Sequence, residues 1–236
     1  MACRARALKT IGLLGGMGWA STIDYYRIIN EEAARRLGGL HSARVILYSF
    51  EYKEIYQPQA AGRDHEIVEK FVTAAQWLKN AGADFFLLGA NTAHMHADAV
   101  QKQVSIPLLH ITDVTAKAIL SRGLSQVGLL GTRYTMQRDF YKDRLKRHGI
   151  TALVPNAEDI EATADIITYE LNQLKILPES RRVFVNTMDR LKAAGAQGVI
   201  LGCTEIPLLI QQQHHSLPLF DTTRLHATAA VDEAFQ

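Results

Sequence analysis

Cys203 stands between Gly202 and Thr204, where the apolar run Val199–Leu201 ends. A thiol there, aimed at the free N–H groups of a helix start, is expected to have a lowered pKa and to act as a thiolate. The opposite reading is a buried cysteine that behaves as a small hydrophobe. A second run, Leu87-Leu88-Gly89, leads into Ala90-Asn91-Thr92. Asn91, Thr92 and Thr204 carry the short amide and hydroxyl groups that suit a carboxylate beside unpaired backbone N–H groups. His94 and His96 follow and could form a polar wall, while a loop position suits His94 equally well as a buttress. His214-His215 reads as solvated loop. Gly15-Gly16-Met17-Gly18-Trp19 permits a tight turn or a close backbone approach to a small ligand, ahead of a helix capped near Ser21 and Thr22. It is not the G-x-G-x-x-G of a dinucleotide site, and no acidic residue follows at the required distance. Cys3 reads as an inert, exposed tail residue.

The elements that must position these groups show in the spacing of apolar residues. Short runs bounded by Gly or Pro recur at Ile11–Leu14, Val45–Tyr48, Phe85–Leu88, Leu108–Ile111, Val127–Leu130, Val199–Leu201 and Leu217–Phe220. Their brevity and lack of alternation predict strands buried on both faces. Helical patterns lie between them over Ser21–Arg36, Asp64–Asn80, Asp113–Ser121, Met136–His148 and Pro178–Ala194. That alternation predicts an α/β fold with parallel sheets. The chain also repeats itself. Leu78–Thr92 and Leu191–Glu205, offset by 113, share seven of fifteen residues. Ile11–Gly15 is echoed by Val127–Gly131, and Ile106-Pro107-Leu108 by Leu217-Pro218-Leu219, each followed by Thr at 112 or 222–223. Three blocks in one order predict two copies of a half-molecule. The expected boundaries are a first domain of 1–112 plus 213–236 and a second of 113–212. Ligands of parallel α/β sheets bind outside the carboxyl ends of the strands. Facing halves would therefore put Ala90 and Cys203 on opposite walls of one cleft.

Composition narrows the function. In 236 residues, 26 Lys+Arg against 24 Asp+Glu leave a net charge of +2, with no clustered basic stripe to bind nucleic acid. Two cysteines 200 positions apart make no disulfide scaffold and no zinc pattern. No apolar run reaches the roughly 18 residues of a membrane span. The basic start, Met1–Thr10, lacks the apolar stretch of a secretion signal. A soluble, cytoplasmic, globular protein is expected.

Ile11-Gly12-Leu13-Leu14-Gly15-Gly16-Met17 with Trp19, Ser21, Thr22, Tyr25, Tyr26 and Asn30 resembles the aspartate/glutamate racemase family. Asn91-Thr92-x-His94, Leu130-Gly131-Thr132 and Gly202-Cys203-Thr204-Glu205 stand in the matching places, so the resemblance spans essentially the whole chain. It implies two pseudosymmetric three-layer α/β/α domains, each with a mainly parallel sheet, and an active site in the cleft between them. It further implies a homodimer that acts on an amino acid with no cofactor: no pyridoxal phosphate, metal or nucleotide. The nearest resemblance is to bacterial aspartate racemases and broad-range or L-Asp/Glu-acting racemases. The family's reaction is two-base proton exchange at Cα, which needs an acid/base group on each face of one carbon and donors for the charge that develops. By resemblance Cys203 is one base. Asn91, Thr92, Thr132 and Thr204 would hold the α-carboxylate or ammonium, and Met17, Gln59 and Glu205 join them as substrate-binding residues.

Residue 90 departs from that pattern, because the family's first-half cysteine is Ala90 here, and a methyl group neither gives nor takes a proton. Three readings of that alanine stay open. Cys203 works with water or with His94 as a surrogate acid; or the chain runs a one-base decarboxylation or isomerisation of small dicarboxylates, as in arylmalonate decarboxylases; or residue 90 has been altered by design. A catalytically impaired amino-acid-binding homologue is the non-enzymatic alternative. Arg44, Lys53 and Lys175 are candidates for gripping a side-chain carboxylate.

Overall fold

The computed structural model describes residues 8–236. The expectation for Cys3, and most of the Met1–Thr10 start, lies outside the described residues. In chain order the elements are β1 (Ile11–Gly15), α1 (Trp19–Leu37), β2 (Val45–Ser49), α2 (Tyr52–Ala60), α3 (Asp64–Asn80), β3 (Phe85–Leu88), α4 (Ala97–Gln101), α5 (Ile111–Leu120) and β4 (Gln126–Gly131). There follow α6 (Arg133–Gln137), α7 (Asp139–Arg147), β5 (Thr151–Leu153), α8 (Ala157–Tyr169), α9 (Pro178–Ala193), β6 (Val199–Gly202), α10 (Ile206–Leu209), β7 (Leu219–Asp221) and α11 (Thr222–Ala234). All sheet pairings are parallel, as the buried apolar runs require. The chain folds as two compact units. The first takes the residues up to Gly89, 96–110 and 226–236; the second takes 90–95 and 111–225.

The first unit carries the sheet β2-β1-β3. One face packs on α1 and the end of α11 through Ile11, Leu13, Tyr25, Ile29, Phe85, Leu87, Ala230 and Val231. The buried Tyr25 hydroxyl lies 2.8 Å from His226 Nδ1, while Nε2 of the same ring lies 2.8 Å from the Leu109 carbonyl. One ring thus ties both helices to the strand-end segment. The second unit carries β5-β4-β6-β7. Leu130, Val199 and Leu201 face α8 and α9, and Val127, Leu129, Ile200 and Phe220 face α5 and α7. This second sheet is therefore sandwiched between helices.

The internal repeat has a physical counterpart in each unit. A Cβ at Gly12 would lie 2.9 Å from Leu78 Cδ1, and one at Gly128 would lie 2.9 Å from Leu191 Cδ1. The repeated leucine of the long helix rests on the repeated glycine of the central strand, where any side chain would push it away. The Phe86 amide donates to the Pro107 carbonyl and the Val199 amide to the Pro218 carbonyl, both at 2.9 Å. The two Ile/Leu-Pro-Leu segments are thus held to their sheets in the same way.

Several expectations are corrected. Leu108–Ile111 is no strand: only Leu108 bridges to Phe86, because Ile111 already begins α5. The helix expected over Met136–His148 is broken at Arg138, whose ψ of 156° is extended. Residues 213–225, expected with the first domain, lie in the second unit, since β7 pairs with β6 and α11 starts directly after it. Helix α1 begins at Trp19 with Gly18 at its N-cap. Thr22 sits in its first turn, donates to the Gly18 carbonyl (3.1 Å) and accepts the Gly16 N–H (2.9 Å). Among the described residues no helix is long and apolar enough to cross a membrane.

Candidate functional site

In the second unit three loops converge at the carboxyl ends of β4 and β6. Ala90–Met95 forms the first and holds all but the last residue of the 3₁₀ turn Thr92–His96. Thr92 Oγ1 lies 2.9 Å from Thr132 Oγ1 and 3.5 Å from Thr135 Oγ1, and the last two are 3.1 Å apart. Thr132 is also the N-cap of α6, accepting the Thr135 N–H at 3.2 Å. Three hydroxyls, each able to donate and to accept, thus meet at one point, with Thr92 and Thr132 only partly buried. Thr135, fully buried, escaped the sequence reading; its signal was the Thr-x-x-Thr spacing of a capped helix start.

Asn91 reaches the third loop. Its Nδ2 donates to Thr222 Oγ1 at 2.9 Å, and that hydroxyl donates to the Leu201 carbonyl at 2.8 Å. The loop at 90–92 is thereby fixed to both strand ends. Both ring nitrogens of His94 meet backbone groups. Nδ1 donates to the Ala90 carbonyl at 2.9 Å, and Nε2 accepts the Ile111 N–H at 3.2 Å. Held in this way, the ring buttresses residue 90. His96 is no polar wall of this loop; it is buried in the first unit beside Phe71.

Cys203 is 7% exposed and packs with the apolar side chains under α8 and α9. Its thiol donates to Glu205 Oε2 at 2.9 Å, and the Thr204 hydroxyl donates to the same oxygen at 2.9 Å. Burial first, then the adjacent Glu205 carboxylate, pushes the thiol well above the usual cysteine range, and the backbone N–H groups of Thr204 and Glu205 offset only part of this. The expected lowered pKa is thus corrected. A four-residue helix start gives too little positive potential against a buried carboxylate two positions on, so the resting group is a thiol.

The remaining candidates are divided between the two units. Met17 is in the β1–α1 turn, between Gly16 (φ 81°) and Gly18 (φ 132°), and Gln59 lies in the last turn of α2. Arg44 and Lys53 are exposed in the first unit, and Lys175 is exposed in the second unit, in the segment between α8 and α9. His214 Nδ1 accepts the Gln211 N–H, and His215 pairs with Asp189. Among the described residues no group of three or more His, Cys, Asp or Glu side chains could hold a metal ion.

The same fold occurs in known proteins. A crystal structure of a candidate Asp/Glu racemase from Yersinia pestis superposes with a TM-score of 0.92 at 47% identity, covering 97% of this chain and all (100%) of that one. An aspartate racemase homologue from Pyrococcus horikoshii OT3 gives a TM-score of 0.86 at 34% identity, with 97% and 100% covered. The broad specificity amino-acid racemase RacX of Bacillus subtilis (strain 168) is 24% identical over 227 residues, 94% of this chain and 96% of RacX. The profile of the Asp/Glu/Hydantoin racemase family matches residues 14–230, from the end of β1 to the last turns of α11, with every loop described above inside it. By sequence and by structure alike, the chain belongs to the Asp/Glu/Hydantoin racemase family.

Proposed function

We propose that the chain is a cofactor-independent amino-acid racemase of the aspartate/glutamate type, in which Cys203 exchanges the Cα proton with Glu205 as its proton partner. The observation that carries this reading is the Sγ–H to Oε2 hydrogen bond of 2.9 Å inside a buried pocket. A neutral thiol is a poor base, and one aimed at a carboxylate is ready to become a thiolate by a single short transfer. Glu205 takes the thiol proton and the thiolate takes the proton from Cα; inversion is completed when water delivers a proton to the opposite face of that carbon, and Glu205 gives its proton to the hydroxide left behind. Thr92 and Thr132, which are only partly buried, supply hydroxyl donors for the carboxylate, whose charge grows as Cα loses its proton, and Thr135 backs them from below. Met17 and Gln59 complete the substrate-binding set by family resemblance.

Ala90 favours a second reading. With no proton-bearing side chain at residue 90, the opposite face of Cα receives its proton from water or not at all. A one-base reaction, exchange or decarboxylation of a small dicarboxylate with one stereochemical outcome, follows in the second case; a binding protein follows if neither face reacts. Incubation with L- and D-aspartate in heavy water separates these. Deuterium at Cα with inversion supports the racemase, deuterium with retention the one-base exchanger, and no label the binding protein.

A homodimer suits the exposed face of the first unit. Trp19, Ile23 and Tyr26, at i, i+4 and i+7 on α1, are 60%, 58% and 54% exposed, and Leu47 on the edge strand β2 adds to them. Large aromatic and aliphatic side chains displayed together are the composition of an interface core. On that helix Arg27 bridges Asp24 and Glu31, so the face carries little unbalanced charge to repel its own copy. The free thiol of Cys203 suits a reducing compartment, the cytoplasm.

A further inference from the structure

Asn91 is 3% exposed, and among the described residues its Oδ1 has no hydrogen-bond donor. A buried acceptor left alone costs free energy on the order of 1–3 kcal/mol, so such an atom at a strand-end loop calls for a donor from outside the chain. Which end of the amide is left over is not arbitrary. The Thr222 hydroxyl has one proton, and it is donated to the Leu201 carbonyl at 2.8 Å. Toward Asn91 that oxygen can only accept. The amide must therefore present Nδ2 to Thr222, as it does at 2.9 Å, and leave Oδ1 as the free end. Flipping the amide would set two acceptors against each other and leave a donor facing the loop.

We infer that Thr222 is a positioning residue that fixes Asn91 as an acceptor for the α-ammonium group of the substrate. The inference rests on the racemase reading and sharpens it, because resemblance alone left Asn91 free to hold either the carboxylate or the ammonium. It also separates amino acids from their deamino analogues: a dicarboxylate without the ammonium leaves Oδ1 unpaired. Thr222 follows β7 directly, at the position that the Leu-Pro-Leu repeat singled out, and its hydroxyl is fully buried.

The test uses Thr222→Val, which keeps the shape and removes the hydroxyl, with Thr222→Ser as the conservative control. Dissociation constants for L-aspartate and for succinate are measured by calorimetry on all three proteins. The ratio favouring aspartate should fall about 10- to 100-fold in Thr222→Val, the range for a charge-assisted hydrogen bond, and stay near wild type in Thr222→Ser. A second readout needs no ligand. The Asn91 side-chain amide protons, followed in selectively 15N-labelled protein, should be held and slow to exchange in wild type and Thr222→Ser, and free in Thr222→Val. A wild type that racemises aspartate while Thr222→Val keeps its aspartate-to-succinate ratio would overturn this inference alone. An Asn91 amide that is already free in wild type would overturn it too. A wild type that binds no aspartate would bring down the racemase reading and this one together.

Discussion

Replacing Glu205 with Gln keeps the volume of a buried side chain and removes the carboxylate that accepts both the Cys203 thiol and the Thr204 hydroxyl. Two consequences of opposite sign follow. The thiol proton loses its acceptor, and loss of a positioned base lowers rates by about 10²–10⁴, which is about 3–5 kcal/mol in the barrier. At the same time the carboxylate's charge and hydrogen bond no longer raise the thiol pKa, and only burial remains to do so. The variant thiol should therefore ionise at lower pH than the wild type's while the enzyme turns over more slowly. Deuterium incorporation at Cα of L-aspartate, read by proton NMR across a pH series, gives the rate. Alkylation by iodoacetamide over the same series gives the thiolate fraction. A slower enzyme with a more readily ionised cysteine fits the geometry. A Glu205→Gln protein that exchanges at the wild-type rate, or whose thiol becomes harder to ionise, would refute the proton-partner role.

Three further outcomes are expected. Gly16→Ala should destabilise the protein by about 3 kcal/mol or more, because φ is +81° and a Cβ would lie 2.1 Å from the Phe50 carbonyl oxygen. Gly128→Ala meets only the flexible tip of Leu191 and should lose no more than about 1–2 kcal/mol in the same urea titration; equal losses would argue against the turn's strain. His96 is buried beside Phe71, and burial lowers its pKa against a weak opposing pull from Asp64. The unfolded chain then binds that proton more readily, so stability is full above about pH 6.5 and is lost as pH falls below it toward the folded value. His96→Leu should flatten that acid limb in urea midpoints, and an unchanged slope would remove His96 from it. Ile23→Glu should shift the sedimentation coefficient from dimer toward monomer; an intact dimer would acquit the α1 face.

Much of this was legible in the residues because backbone demands are written in glycine and leucine. The repeated Gly12/Leu78 and Gly128/Leu191 contacts, and the two proline carbonyls at Pro107 and Pro218, are the physical content of a similarity visible in the letters alone. Elements without such markers were hidden. β5 is three residues at a sheet edge and α2 contains Pro58 inside its helix, while α8 went unread although Asn156 caps it by accepting the Asp159 N–H. The break at Arg138 lies in a continuous helical pattern, and only the extended ψ shows it. At the candidate site, residue types singled out Cys203 and the Asn-Thr loop for attention, but not the state of the thiol. That state depends on the direction of one carboxylate, Glu205, which spacing does not fix. The Thr135 and Thr222 hydroxyls went unassigned for the same reason: their meaning lies in who donates to whom.

The most direct test of the sulfur's role is Cα deuterium wash-in to L-aspartate by Cys203→Ala, beside wild type and with circular dichroism to confirm folding. The wild type should exchange, and the variant should show none above solvent background. Wash-in at an undiminished rate without the sulfur would contradict that role.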